Sequence, residues 1–159
     1  MAEKVQAVPQ GFHTLTPHMV VRNAEQAIEF YQKAFGAELL GKMLTPDGKV
    51  MHALLKVGDS MLMLNDEFPQ MGALSPQSTG GTAVTLHVYL DNVDAAFARA
   101  VAAGAAVKMP LMDQFWGDRY GIVSDPYGHQ WSMATHVRDM SQEDMAQAMK
   151  QTPPMPKSA

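Results

Sequence analysis

Cysteine is absent from the 159 residues, which excludes disulfides, thiolate metal centres and cysteine nucleophiles. Basic charge is scarce as well. Twelve Lys and Arg stand against 16 Asp and Glu, a net charge of −4, and a nucleic-acid binder needs a basic face to neutralise phosphates. No apolar run approaches the roughly 20 residues of a membrane span, and the opening MAEKVQAVPQ lacks the apolar stretch of a signal peptide. P-loop, dinucleotide-binding and nucleophile-elbow patterns are also missing, and nothing identifies a catalytic base. The expectation is a soluble cytoplasmic protein with no nucleic-acid and no membrane partner. Its length suits one well-buried core, or two small modules sharing one.

What the chain does contain is a repeat. Thr16, His18 and Asn23 recur as Thr85, His87 and Asn92 at a constant offset of 69 residues, each set followed by an Ala-rich amphipathic run. The first run passes through Phe30 and Tyr31 to Gly36, the second through Phe97 to Gly104. A repeated strand–helix unit predicts two similar halves. Methionine is also plentiful, with 14 copies, which suits either adaptable core packing or an adaptable apolar pocket.

The pattern along the chain gives the order of elements. Leu15–Val21 reads as a strand, Asn23 as a helix N-cap with Gln26 at capping-box spacing, and Gly36 as the helix stop. Leu39–Leu44 and Val50–Val57 form a hairpin about Pro46-Asp47-Gly48, and Met61–Leu64 is a fourth strand. The order then repeats. Val84–Leu90 is a strand, Val93–Ala103 a helix, Ala106–Met109 begins the next strand and Arg119–Ser124 forms a further one. Asp125-Pro126-Tyr127-Gly128 is a turn before Trp131–Thr135. The expected fold is α+β, with two βαβββ modules whose curved, mostly antiparallel sheets form a cleft. The modules span 12–67 and 83–137, joined by a loop over 68–82. A tail over 138–159 carries a short helix from Ser141 to Gln151, ended by Pro153-Pro154.

Two βαβββ modules, the Phe30-Tyr31 pair and Asp125-Pro126-Tyr127-Gly128-His129 before the last strand resemble the vicinal oxygen chelate superfamily. That superfamily includes glyoxalases, extradiol dioxygenases and bleomycin-resistance proteins. The stretch Asp113-Gln114-Phe115-Trp116-Gly117-Asp118-Arg119-Tyr120-Gly121, with Trp131 and Ala134-Thr135-His136, resembles its PhnB-like branch more narrowly. The resemblance implies a divalent cation held between the sheets by one ligand from the first and last strand of each module. It places those positions at Thr16, Met63, Thr85 and Ser132. Two threonines, a thioether and a hydroxyl are poor ligands for a hard or borderline divalent ion. The expectation is therefore no metal and no other cofactor. The alternative is one divalent ion at a shifted site on His18 and His87, which point to the same face two residues further along. Each histidine also reads simply as a half-buried strand residue bonded to a neighbour. His52 and His129 receive no role, and His136 is expected to be solvated.

Phe115, Trp116, Arg119 and Tyr120 complete the candidate pocket. Trp116 suits stacking on a planar ligand, and Arg119 suits holding an anionic group. Alternatively Trp116 packs in the core and Arg119 pairs with Asp118 or Asp125. The functional expectation is a metal-independent protein that binds a small-molecule ligand in the cleft. The alternative is a divalent-metal lyase, isomerase or transferase. The exposed edges and helix surfaces of each module, together with the resemblance, imply a homodimer.

Overall fold

The computed structural model describes residues 5–153; residues 1–4 and 154–159, with Pro154 and the end of the expected tail, lie outside the described residues. The first module comprises β1 (His18–Val21), α1 (Ala24–Phe35), β2 (Glu38–Leu44), β3 (Val50–Val57) and β4 (Ser60–Asp66). A short helix α2 (Pro76–Thr79) lies in the connection. The second module comprises β5 (Thr85–Tyr89), α3 (Val93–Ala103), β6 (Ala106–Asp113), β7 (Asp118–Ser124) and β8 (Gln130–His136), and α4 (Gln142–Gln151) follows. Two separate four-stranded sheets result, in the orders β1-β4-β3-β2 and β5-β8-β7-β6. In each sheet the first and last strands pair in parallel and the other pairs are antiparallel. Among the described residues no helix is long and apolar enough to cross a membrane.

Local chemistry explains the repeated unit. The side chains of Asn23 and Asn92 cap α1 and α3 by accepting from the backbone N–H of Gln26 and Ala95. Asp66 ties the strands to the helix: one carboxylate oxygen accepts from Ala24 N and the other from Val50 N, each at 2.7 Å. Thr135 does the equivalent in the second module, accepting from Val93 N at 2.9 Å and donating to the Leu90 carbonyl at 2.6 Å. Met19, Val21, Leu62 and Leu64 bury one face of the first sheet under α1. Trp131, Met133 and Val123 bury the matching face of the second.

The two modules share that core. The Tyr31 hydroxyl donates to Asp125 at 2.6 Å, and the Phe35 ring stacks on Trp131 with centroids 4.3 Å apart. Arg99 Nε donates to the Ala34 carbonyl at 3.1 Å, and His129 Nε2 donates to the Val20 carbonyl at 2.9 Å. Helix α1 therefore belongs to both halves.

Three expectations need correction. The first strand is shorter than Leu15–Val21, starting at His18, and Leu15 is 85% exposed. Its parallel ladder begins where Met63 N donates to the Pro17 carbonyl, and Pro17 has no N–H of its own to extend it. The connection over 68–82 is not featureless: it holds a 3₁₀ turn at Pro69–Met71 and helix α2, each opened by a proline preset for the first helical position. Glu67 pins this segment, accepting from the backbone N–H and hydroxyl of Ser75 while facing Arg22. The strand from Ala106 runs past Met109 to Asp113, through Pro110, because β6 is an edge strand on which a missing N–H is tolerated.

Candidate functional site

Strand alternation divides the candidate residues between two faces of each sheet. Opposite the face packed on α1, His18 is in register with Met63, and Met63 with Leu54. His52 lies on the same open face, its ring 5.7 Å from that of His18 and perpendicular to it. Asn65 Nδ2 donates to the Asp66 carbonyl at 2.7 Å, so its Oδ1 is the atom that faces His18 Nε2 at 2.6 Å. His18 therefore donates from Nε2.

On the second sheet His87 is in register with Ser132, and its Nδ1 lies 2.7 Å from the Ser132 hydroxyl. Around it runs a line of rings. His87 contacts Tyr89 at 4.5 Å and Tyr120 at 6.0 Å, Tyr120 contacts Trp116 at 5.4 Å, and Trp116 contacts Phe115 at 5.1 Å between centroids. Asp118 fixes this line from beneath. It is 4% exposed and accepts from the Tyr89 hydroxyl at 3.1 Å and from Trp116 Nε1 at 3.0 Å on one oxygen. Its other oxygen lies 2.8 Å from His136 Nδ1. Burial pushes Asp118 up, but donors from His136, Tyr89 and Trp116 outweigh it and hold the carboxyl below its usual range. The same bond raises the Tyr89 phenol.

A crevice of about 540 Å³ opens between the β1 and β5 edges, lined by His18, Val20, Pro76, Thr82, Val84 and Leu86. That volume lies within the range of small-molecule sites. It adjoins both open faces through the strands that carry His18 and His87.

The structure separates some candidates that the sequence grouped. Thr16 precedes β1, and Thr85 is the exposed first residue of β5, so neither stands beside Met63 or Ser132. His18 and His87 occupy those rungs instead. Arg119 lies on the helix side of its sheet. Its guanidinium is bidentate to Asp94 on α3 and also reaches Asp113 at 3.2 Å, rather than pairing with Asp118 or Asp125. Asp118 is occupied by Tyr89, Trp116 and His136, and Asp125 by Tyr31 and Trp131. His136 is not simply solvated, because it sits between Asp118 and Asp139, whose bonds raise its pKa. Asp118, Tyr89, His52 and Asn65 were missed as site residues. The period-two sequence Thr85-x-His87-x-Tyr89 carried the signal for Tyr89, whereas nothing local marks Asp118.

The divalent ion that the resemblance implies does not fit these residues. The four rungs present imidazole and thioether on one sheet, and imidazole and hydroxyl on the other, with no carboxylate. Among the described residues no three His, Asp or Glu side chains come together to hold a metal.

A family model described as the glyoxalase/bleomycin resistance protein/dioxygenase superfamily matches residues 11–133. An uncharacterized protein of Mycobacterium bovis is 49% identical over 138 residues, covering 85% of this chain and 91% of that protein. TioX from Micromonospora sp. ML1 superposes with a TM-score of 0.64 at 27% identity, over 79% of this chain and 99% of TioX. A PhnB protein from Bacillus cereus, described as a putative 3-demethylubiquinone-9 3-methyltransferase, superposes at 0.60 and 22% identity over 77% and 99% of the two chains.

Proposed function

Since the chain belongs to the glyoxalase/bleomycin resistance protein/dioxygenase superfamily, we propose that it binds a planar, aromatic small molecule on the open face of its second sheet, without a divalent metal. The observation that carries this reading is the line of rings from His87 to Phe115, anchored on the buried Asp118. Free aromatic side chains lose rotamer freedom on binding, whereas rings already held by a buried carboxylate lose little. Trp116 and Tyr120 supply stacking surface, the Tyr89 edge supplies polarity, and the crevice beside β5 gives room for the rest of the ligand.

Homodimerisation goes with this reading. The open faces expose Met43 and Leu40 on one sheet and Tyr89 and Met112 on the other, each more than 40% exposed. A second copy would enclose a ligand lying between such faces. The cytoplasm is the compartment that suits the cysteine-free composition.

Trp116 reports directly on the site. Titration with a panel of planar heteroaromatic compounds, bleomycin among them, should quench Trp116 fluorescence saturably. Trp116→Phe is the control for the signal, and Tyr120→Ala should weaken binding by roughly tenfold, as stacking losses of 1–3 kcal/mol imply. If no compound quenches Trp116, or Tyr120→Ala binds as well as wild type, the aromatic face is not the ligand site.

A further inference from the structure

We propose that the open face of the first sheet is a binding site for a soft monovalent metal ion, copper(I), formed by His18, His52, Met63 and Met43. This site draws on β1 to β4 alone. It uses none of the rings of the second sheet and does not rest on the small-molecule reading.

Four observations converge on it. The hydrogen bond from His18 Nε2 to Asn65 leaves the Nδ1 lone pair as the free ligand atom of that ring. Metal-bound histidines commonly hold their other ring nitrogen against an oxygen acceptor in this way, which fixes the tautomer and the ring orientation. His52 is half-buried, yet its ring has no hydrogen-bond partner among the described residues. The two ring centroids stand 5.7 Å apart. An ion about 2.0–2.1 Å from one nitrogen of each ring sets the centroids roughly 5.5–6 Å apart, depending on the angle at the metal. Finally, each histidine has a methionine as its direct cross-strand neighbour: Met63 beside His18, and Met43 beside His52. The unbranched thioether has three rotatable bonds with which to reach an ion between the rings.

The donor set chooses the ion. No carboxylate joins the four side chains, since Asp66 on the next rung points to the helix side, where it binds Ala24 N and Val50 N. A neutral set of two imidazoles and two thioethers leaves a divalent ion poorly neutralised. It matches copper(I), whose single charge and softness favour sulfur and imidazole.

The test uses the full chain under anaerobic conditions, with copper(I) held in its coloured complex with bicinchoninate. Wild-type protein should withdraw one copper per chain from the chelator. His18→Ala and Met63→Leu should each weaken that withdrawal by tenfold or more, while Met112→Leu on the other sheet leaves it unchanged. Failure of wild type to withdraw copper, or equal affinity in all three variants, overturns the site. A second measurement needs no variant. Silver(I), titrated against protein with 13C-labelled methionine methyls, should shift Met43 and Met63 and leave Met112 in place. Shifts confined to other methionines overturn the assignment, and so does tighter binding of zinc than of copper(I).

Discussion

Asp125 gathers the Tyr31 hydroxyl and Trp131 Nε1 on one carboxylate oxygen, at 2.6 and 2.9 Å, and the backbone N–H groups of Tyr127 and His129 on the other. Tyr31 is fully buried, and burial together with the adjacent Asp125 raises its phenol well above the ordinary value. Tyr31→Phe removes one hydrogen bond to a carboxyl group and little volume. It should lower stability by about 1.5–3 kcal/mol, read as a lower urea midpoint at unchanged slope. His136 gives a prediction of pH dependence. Hydrogen bonds to Asp139 and then Asp118 raise its pKa above 6.5, so the folded chain holds that proton more tightly than the unfolded one. The stabilisation is fully present below pH 6.5 and disappears as pH rises through the raised value. Urea midpoints measured from pH 5.5 to 9 should fall across that window in wild type, and the fall should be smaller in His136→Gln. Glu67 works in the opposite direction. The Ser75 hydroxyl and its companions lower its carboxyl from 4.5 to about 2, so its contribution is lost as pH drops between those values. At this scale the sequence was legible where a residue acts through its own strand or turn, as with the caps Asn23 and Asn92. It was opaque where a partner comes from elsewhere in the chain. Arg119 finds Asp94 on a helix 25 residues away, and Asp118 collects Tyr89 from another strand.

The elements were easier to read than their ends. Helix α3 occupies Val93–Ala103 and β3 occupies Val50–Val57, as the periodicity implies, because a capping Asn, a closing Gly or a tight turn bounds each in the sequence itself. The ends of β1 and β6 depend on where a neighbouring strand stops, and no local residue records that. The register of the metal-position rungs failed for the same reason. The parallel ladder of β1 on β4 sets His18, not Thr16, beside Met63. Close packing between elements yields a further prediction at Gly121 on β7. A Cβ there would lie 2.8 Å from the Phe97 ring of α3 and 3.0 Å from the Met109 carbonyl of β6. Neither the ring, which is 8% exposed, nor the ladder carbonyl can retreat freely. Gly121→Ala should cost about 1–3 kcal/mol in urea unfolding and lower the melting temperature. Gly117 is constrained differently, with a φ of +101° and a Cβ position blocked by the Arg138 carbonyl. Gly117→Ala should dislodge the segment after β8, seen as faster amide exchange at Val137 and Arg138, whose N–H groups both bind the Gly117 carbonyl.

For the molecule as a whole, assembly and folding follow from the way its halves are joined. Light scattering at micromolar concentration should give a mass near twice 17.4 kDa, and a stable mass near 17.4 kDa would remove the homodimer. Within one chain, Tyr31 and Phe35 find their partners, Asp125 and Trp131, only near the far end of the sequence. During synthesis, at roughly 5–20 residues per second, the apolar side of α1 therefore waits on the order of 5–20 seconds for Trp131 to be made. A ribosome-bound chain truncated between the modules should accordingly present Phe30, Tyr31 and Phe35 to any chaperone that reads aromatic clusters. The full-length chain conceals them the moment β8 docks.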